Sequence, residues 1–169
     1  MATKRQSIIS WSSRPDESEK VWFEPQNVQL DDDTYTGLVL VFNDSETKDS
    51  LHGRFAVPQD YDSAAKVVIN WAAAAAGTGD RDVVFDLSYR TVDAGEDLDG
   101  SATDATDSVT TAAPESKGEL VESVITATEG DFAAGDEVQF IVSRDGTAAD
   151  ELSADVLVVG VYFEYSDGA

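Results

Sequence analysis

Cysteine is absent from the 169-residue sequence, and histidine occurs once, as His52. Without cysteine the chain forms no disulfide and offers no thiolate to a metal or a substrate, so the fold depends on its apolar core and on subunit contacts. A Ser-His-Asp triad would have to use His52, which lies in a stretch typical of a turn between strands. We therefore expect a protein without enzymatic activity.

Basic residues are scarce as well: eleven Lys and Arg face 34 Asp and Glu, a formal net charge of −23 at pH 7. Such a charge favours repulsion within the chain unless concentrated salt screens it, and we interpret it as the signature of a halophile. An acidic disordered protein is the alternative, but 41% of the residues are hydrophobic, which favours a packed core. Binding to nucleic acid is not expected, because it needs clustered cations.

Long apolar runs are missing too. No stretch approaches the roughly 18 consecutive apolar residues that are typical of a membrane-spanning helix. Residues 1–7 lack the apolar core of a signal peptide. We expect a soluble chain without a membrane span, and its length favours a single domain.

Alternation of apolar and polar side chains with a period of two dominates the sequence and predicts strands. It is clearest over residues 83–92, where Val83, Phe85 and Leu87 fall on one face. Residues 67–76 are ambiguous, since their alanines favour a helix and their β-branched residues favour a strand; we choose the strand because a Gly-rich turn follows. Further strands are predicted over 36–43, 53–57, 120–128, 137–143 and 155–165, with shorter ones at 7–11, 21–23 and 108–111.

About eight strands with irregular spacings predict an all-β, single-domain β-sandwich that is jelly-roll-like, and an immunoglobulin-like sandwich is the alternative. The sandwich domain is expected over residues 21–169. Within it, residues 93–117 are rich in Asp, Thr, Ser, Ala and Gly and predict a long, exposed acidic loop. The final strand, 155–165, is apolar on both faces for most of its length, so it should lie centrally in a sheet or be covered by another subunit.

Residues 1–20 are predicted to form an N-terminal arm. Its first fifteen residues contain Lys4, Arg5 and Arg14 but no acidic residue. A basic arm on an acidic body would suit a tether to an acidic partner surface or to a neighbouring copy, with Trp11 as its apolar anchor. The alternative is a frayed, solvated terminus.

Calcium is the one cofactor for which the sequence offers candidate ligands. The run 96–100 is rich in carboxylates, and Asp97 and Asp99 are its weak candidates for a Ca²⁺ site. Their spacing does not match an EF-hand loop, and hydrated acidic surface is the alternative interpretation. No other cofactor is expected.

Arg144 is a candidate for a structural role. It follows a predicted strand and begins a loop that contains several acidic residues. Bidentate pairs between arginine and a carboxylate suit such a position, so we expect Arg144 to fix the loop by pairing with Asp145, Asp150 or Asp155.

The stretch 132–146, FAAGDEVQFIVSRDG, has a turn, a strand and a loop that carries Arg144. Together with Phe55 to Tyr61 and residues 66–71, it resembles the C-terminal part of small β-sandwich virion proteins encoded by tailed viruses of bacteria and archaea. The resemblance covers residues 53–165. It implies a non-enzymatic surface subunit of a virus particle, such as a capsid decoration, turret or tail-associated protein, and no catalytic residue is carried over.

The resemblance also implies partners and a location. The partners would be other virion proteins, namely major capsid or tail proteins, the location would be the virion, and the acidity would then indicate a haloarchaeal host. A sandwich with apolar surface left to bury would form a homo-oligomer, for which a trimer or a pentamer suits an icosahedral shell.

A carbohydrate-binding module is the alternative from another functional class, because β-sandwiches also present sugars on aromatic platforms. It would need Trp11, Trp22 or Trp71 to be exposed. Since Trp71 alternates with Val67 and Ile69, the pattern favours packing of Trp71 in the core.

Overall fold

The structure is a computed structural model that describes residues 1–8, 26–29, 36–44, 49–76, 81–93, 95–97, 103–128, 130–146 and 152–168. No described residue is helical, and ten strands are found among the described residues. The strands are β1 (Thr3–Ser7), β2 (Gln26–Gln29), β3 (Thr36–Phe42), β4 (Asp49–Ala56), β5 (Tyr61–Ala73), β6 (Asp82–Val92), β7 (Ala105–Ala112), β8 (Leu120–Thr126), β9 (Glu137–Arg144) and β10 (Val156–Asp167).

The strands form two antiparallel sheets that pack face to face. The six-stranded sheet has the order β2-β3-β10-β5-β8. The sixth strand, β1, shares one edge of β10 with β3: β3 pairs with the first half of β10 and β1 with the second half. The four-stranded sheet has the order β4-β9-β6-β7. Buried residues of both sheets form one core between them, so the prediction of an all-β sandwich is confirmed. Its jelly-roll-like strand order stays a prediction.

The period-two pattern explains the strands that build the core. On β6, Val83, Phe85 and Leu87 are at most 1% exposed, whereas the residues between them, such as Asp86, are less buried. β5 confirms the interpretation of residues 67–76 as a strand as far as Ala73. Its alternate positions point into the core, where β-branched and aromatic side chains outweigh the helix propensity of the alanines.

Aromatic side chains fill much of the space between the sheets. Trp71 is fully buried, and its ring meets that of Phe85 edge-on, with centroids 5.7 Å apart. Elsewhere in the core the ring of Phe163 lies 4.8 Å from that of Phe55 and 5.7 Å from that of Phe132. The expected packing of Trp71 in the core is confirmed.

The prediction of one long loop over residues 93–117 is wrong in its central part. Residues Ala105–Ala112 form β7, which pairs antiparallel with β6. Side chains along β7 alternate between half-buried and exposed, but the half-buried positions include Asp107 and Thr111, so hydrophobicity alone does not reveal the alternation. Thr and Val supply the β propensity, and the short strand predicted at 108–111 lies inside β7.

The predicted N-terminal arm is wrong for residues 3–7, which form β1 within the six-stranded sheet. All five residues of β1 are exposed, because this strand covers only part of one edge of β10. The next residue, Ile8, is buried in the core and donates its N–H to the carbonyl oxygen of Val161 at 3.0 Å. Residues 9–20 of the predicted arm lie outside the described residues.

The central position expected for the last strand is confirmed. β10 lies between β5 on one edge and β3 with β1 on the other. Val158 and Phe163 point into the core, and Leu157 on the opposite face is also only 2% exposed. A strand that is buried on both faces needs apolar residues at successive positions, which is why its sequence does not alternate.

Gly53 of β4 lies directly opposite Phe140 of β9, and a Cβ atom at Gly53 would lie 2.5 Å from Cζ of that ring. Phe140 cannot move freely, since its ring packs against Phe55 with centroids 5.9 Å apart. We expect Gly53→Ala to lower the free energy of unfolding by roughly 1–3 kcal/mol, measured by urea denaturation. Gly168→Ala is the matched control, because its Cβ would meet Asp62 at an ordinary 3.5 Å. Equal losses in both variants would contradict the packing explanation.

Candidate functional site on the outer face of the six-stranded sheet

The six-stranded sheet has an outer face, directed away from the core and formed by alternate residues of β5, β8 and β10. Val68 and Leu157 lie on it, yet they are 0% and 2% exposed, so most of this second apolar layer is buried. Three large apolar side chains of the outer face remain exposed: Leu120 at 60%, Val124 at 36% and Val159 at 42%. Within the part of the chain that the structure describes, Met1 is the one other exposed large hydrophobic residue. The exposed apolar surface is therefore concentrated on one face.

The strand register brings these side chains into one area. Leu120 of β8 is opposite Ala72 of β5, which is opposite Leu157 of β10. Two strand spacings separate Leu120 from Leu157, which amounts to roughly 10 Å. Val159 lies two residues further along β10, at a β-bulge. The exposed apolar side chains thus lie on the edge strand β8 and on the central strand β10, with the buried Ala72 and Leu157 between them.

Arg5 crosses the outer face from β1 to β8. Its Nε donates to Glu164 Oε2 of β10 at 2.6 Å, and its two Nη atoms donate to the carboxylate of Glu122 of β8 at 2.7 and 3.0 Å. Lys66 of β5 donates to Glu164 Oε1 at 3.3 Å. Since the pair with Glu122 is bidentate, it fixes direction as well as distance. Four side chains from four strands form one ion-pair network.

The pKa values of this network reflect its hydrogen bonds. Burial acts to raise the pKa of Glu164, but hydrogen bonds from Arg5 and Lys66 outweigh it and hold that pKa below its ordinary value. Hydrogen bonds to Glu122 and Glu164 raise the pKa of the Arg5 guanidinium. Glu164 therefore stays ionised to a lower pH than an unpaired glutamate.

A second ion-pair cluster joins the two ends of the described chain. Lys4 Nζ pairs with Asp60 and, at 2.9 Å, with Asp167. Tyr165 donates its hydroxyl to Asp60 at 2.8 Å, and the N–H of Ala2 donates to Asp167 at 2.7 Å. Hydrogen bonds from Lys4 and Tyr165 lower the pKa of Asp60, and those from Ala2 and Lys4 lower the pKa of Asp167. The cluster holds β1 against the end of β10.

Arg5→Gln tests the contribution of this network to acid stability. A carboxylate whose pKa is lower in the folded than in the unfolded chain stabilises the fold. This stabilisation is complete above the pKa in the unfolded chain, about 4.3 for Glu. It is lost as the pH falls through the lower pKa in the folded protein. Removing Arg5 raises the folded pKa of Glu164, so we expect a loss of roughly 0.5–1 kcal/mol at neutral pH that shrinks towards pH 3. Unfolding measured between about pH 3 and pH 7 at fixed salt gives this difference. Arg54→Gln, at an exposed position of β4, is the control, and parallel pH profiles for wild type and Arg5→Gln would contradict the assignment.

The residues predicted for partner contact have two different outcomes. Lys4 and Arg5 lie on β1, where both pair with carboxylates of the same chain. Trp11 and Arg14 lie outside the described residues. The sequence did not identify the carboxylate partners, because the chain has 34 acidic residues and no local pattern distinguishes those that lie near β1 in space.

Arg144 lies at the end of β9 and is 1% exposed. Its guanidinium donates to three backbone carbonyls, those of Phe42, Ala154 and Leu152, at 3.5, 2.7 and 2.6 Å. The carboxylate of Asp44 lies 3.9 Å away. Arg144 thus joins β9 to the end of β3 and to the segment before β10, and Asp44 is a partner that the sequence did not suggest. The predicted partner Asp150 lies outside the described residues.

The candidate calcium ligands are not brought together by the described structure. Asp97 is exposed, and its backbone carbonyl accepts a hydrogen bond from Arg90 Nη1 at 2.9 Å. Asp99 lies outside the described residues. In the described ranges, no three His, Asp or Glu side chains are grouped in a way that could hold a metal ion. The calcium site stays a prediction.

A cleft of about 440 Å³ lies beside the ends of β6 and β9, lined by Val92, Asp93, Glu96 and residues 134–137. Its lining includes four carboxylates and no Lys, Arg, His, Ser or Thr side chain. His52 does not line it, and the turn predicted around His52 is wrong, because this residue is exposed in the middle of β4. The cleft therefore lacks the histidine and the serine of a Ser-His-Asp triad.

The sequence matches no protein-family model and no curated protein sequence. Among the residues that the structure describes, no helix is long and apolar enough to cross a membrane. The functional interpretation therefore depends on the fold, on the outer face and on the charge of the chain.

Proposed function

We propose that this protein is a non-enzymatic structural subunit of a virus particle. It would be an oligomeric surface protein, such as a capsid decoration, turret or tail-associated subunit, that stabilises the particle or contacts the host. The observation that carries the proposal is the concentration of exposed apolar side chains, Leu120, Val124 and Val159, on one face of a β-sandwich. Such a patch is typical of a contact with another protein.

The charge of the chain supports a particular kind of particle. A net charge of −23 on a folded sandwich suits a surface exposed to concentrated salt, and this points to a virus of a haloarchaeon. The resemblance over residues 53–165 is to virion proteins of tailed viruses. The proposed partners are therefore major capsid or tail proteins, together with other copies of the same chain in a trimer or a pentamer.

Immunogold electron microscopy tests the location directly. Antibodies raised against the purified protein are applied to tailed particles released by the haloarchaeal culture that carries the gene, with pre-immune antibodies as control. We expect gold on the particle surface, and its position distinguishes capsid from tail. Gold that stays with cell debris while intact particles carry none would overturn the proposed function.

Solution mass measured by light scattering tests the dependence on salt. The Debye length shrinks from about 10 Å at 0.1 M salt to about 3 Å at 1 M, so repulsion between copies is screened only in concentrated salt. We expect a stable oligomer in molar salt that dissociates or unfolds after dialysis to low salt. A monomer whose mass and far-UV circular dichroism are the same in both buffers would contradict the halophilic, oligomeric interpretation.

The carbohydrate-binding alternative lacks a described platform. Of the aromatic side chains whose burial the structure describes, none is exposed; Tyr61 and Tyr162 are half-buried and the others are buried. Trp71 donates its Nε1–H to Ser123 Oγ at 2.8 Å inside the core. Trp11 and Trp22 lie outside the described residues. The described residues thus favour a protein contact over a sugar platform.

A further inference from the structure

β8 is an edge strand that has one partner. It pairs with β5 without any shift of register, and no backbone hydrogen bond joins its other edge to a described residue. The neighbouring edge strand of the other sheet, β7, contacts β8 through side chains, with Ser123 Oγ donating to Thr111 Oγ1 at 2.8 Å. Among the residues that the structure describes, nothing pairs with the second edge of β8, and its N–H and C=O groups are directed towards the position of a further strand.

This edge has no lysine, proline or bulge and no inward-pointing charge. Edge strands are commonly protected by lysine, proline, a bulge or an inward-pointing charge. β7 has such a charge, Asp107, which is half-buried and whose Oδ2 atom is buried without a hydrogen-bond partner. β8 reads LVESVIT, with Leu120 and Val124 exposed on the outer face and Ile125 buried on the inner one. Its one charged residue is Glu122.

We propose that the free edge of β8 pairs antiparallel with β8 of a second copy of this chain, which joins two six-stranded sheets across a twofold axis. The axis would pass through Ser123, so that Ser123 faces its own copy. In this register Val121 of each copy lies opposite Ile125 of the other, and the two apolar cores become continuous. The outer face then places Val124 opposite Glu122 and Leu120 opposite Thr126.

Charge excludes one register of this pairing and is compatible with a second copy as the partner. An axis through Glu122 would bring two carboxylates directly opposite each other, which is unfavourable. With the axis through Ser123, Glu122 faces an apolar residue and keeps its bidentate pair with Arg5 of its own chain. Two copies of a chain with a net charge of −23 can thus meet along a strand whose one charge is already compensated. Arg5 therefore makes the edge of β8 compatible with self-association.

This inference rests on the proposed oligomeric subunit and specifies its contact. A twofold contact makes a dimer, or it joins two of the proposed trimeric or pentameric rings into an even-numbered assembly. The location of the protein in the virion does not depend on it. Immunogold labelling and the experiments below can therefore fail separately.

Ser123→Cys is the direct test, because the chain contains no cysteine of its own. The Ser123 side chain is 1% exposed in the separate chain and bonds to Trp71 and Thr111, so urea denaturation first checks that the variant keeps the fold. Directly opposite residues of an antiparallel pair have Cα atoms about 4.5–5.5 Å apart, within the range of a disulfide. We expect oxidation of the full-length variant with diamide in molar salt to produce a covalent dimer in non-reducing electrophoresis. Val159→Cys is the control: it lies on the same outer face and is 42% exposed, but it is on the central strand β10, so we expect a monomer.

A pair of charge variants tests the register without cysteine. In the proposed dimer Val124→Glu places a second carboxylate opposite Glu122 at both symmetric positions, whereas Val124→Lys places a cation there. We expect the glutamate variant to dissociate roughly tenfold more readily than the lysine variant, measured by light scattering at the lowest salt at which the wild type stays folded. Val124 is 36% exposed, so both variants should keep the fold, which far-UV circular dichroism checks.

The outcomes separate clearly. A cross-linked Ser123→Cys dimer, together with selective weakening by Val124→Glu, supports pairing through β8. Equal cross-linking of Ser123→Cys and Val159→Cys, or equal dissociation of the two Val124 variants, overturns it. A wild-type trimer, pentamer or monomer in molar salt without Ser123 cross-linking also overturns it, while gold-labelled particles would still support the proposed function.

Discussion

Arg144→Ala should lower the free energy of unfolding by roughly 3 kcal/mol or more, the largest single effect that we expect in the hydrogen-bonded framework. The guanidinium is 1% exposed and donates to the carbonyls of Phe42, Leu152 and Ala154. Alanine would leave these acceptors in a site from which water is largely excluded, and it would open a cavity between β3, β9 and the segment before β10. Denaturant unfolding at fixed salt measures the loss.

Arg144→Lys distinguishes hydrogen bonding from charge alone. Lysine keeps the charge but has one ammonium group in place of the planar guanidinium. We therefore expect the stability of Arg144→Lys to lie between that of Arg144→Ala and that of the wild type. Hydrogen exchange gives a local readout, since the amide of Leu152, bound to the carbonyl of Asp82 at 3.2 Å, should exchange faster in both variants. Arg54→Ala, at an exposed position, should change stability by less than about 0.5 kcal/mol. If Arg144→Ala lowered the free energy of unfolding no more than Arg54→Ala does, the hydrogen bonds of Arg144 would not stabilise the fold as proposed.

Trp71→Ala should cost roughly 3–5 kcal/mol of unfolding free energy, because it removes the largest fully buried side chain of the described core. The indole ring packs edge-on against Phe85 and donates its N–H to Ser123 Oγ at 2.8 Å. Ser123 in turn donates to Thr111 Oγ1 at 2.8 Å, so the indole connects β5 with β8 and β7. Urea denaturation followed by far-UV circular dichroism measures the loss.

Two further variants divide the contribution of Trp71 into packing and hydrogen bonding. Trp71→Phe keeps an aromatic ring but loses the N–H donor and part of the volume, so we expect an intermediate loss. Ser123→Ala removes the acceptor of the indole N–H together with the donor to Thr111, two hydrogen bonds, and should cost about 2 kcal/mol. If Trp71→Ala were no more destabilising than Ser123→Ala, the side chain would not be packed as described.

The two ion-pair networks explain why β1 could not be recognised from its own sequence. Thr3–Ser7 has no apolar alternation, and its cations indicated a free arm. The strand is stabilised by the ion pairs of Arg5 with Glu164 and Glu122. These residues are 159 and 117 positions away in the sequence, on strands that come together only in the folded sheet. Any of the 34 acidic residues could have served as a partner on charge alone. Distances in space, which the sequence does not contain, decide among them.

The sequence by itself determined the main strands of the core and which of their side chains are buried, because the period-two pattern of apolar residues is a local property of the sequence. It was sufficient for β6, for Trp71 on β5 and for the doubly apolar β10. Only the tertiary structure decided what each strand pairs with, that Ala105–Ala112 is a strand despite its polar composition, and that Arg144 binds carbonyls of β3 and of the segment before β10. Pairing and hydrogen bonding depend on backbone groups that are the same at nearly every residue, so local chemistry cannot specify their partners. For the same reason the open edge of β8 became visible only once its sheet was assembled.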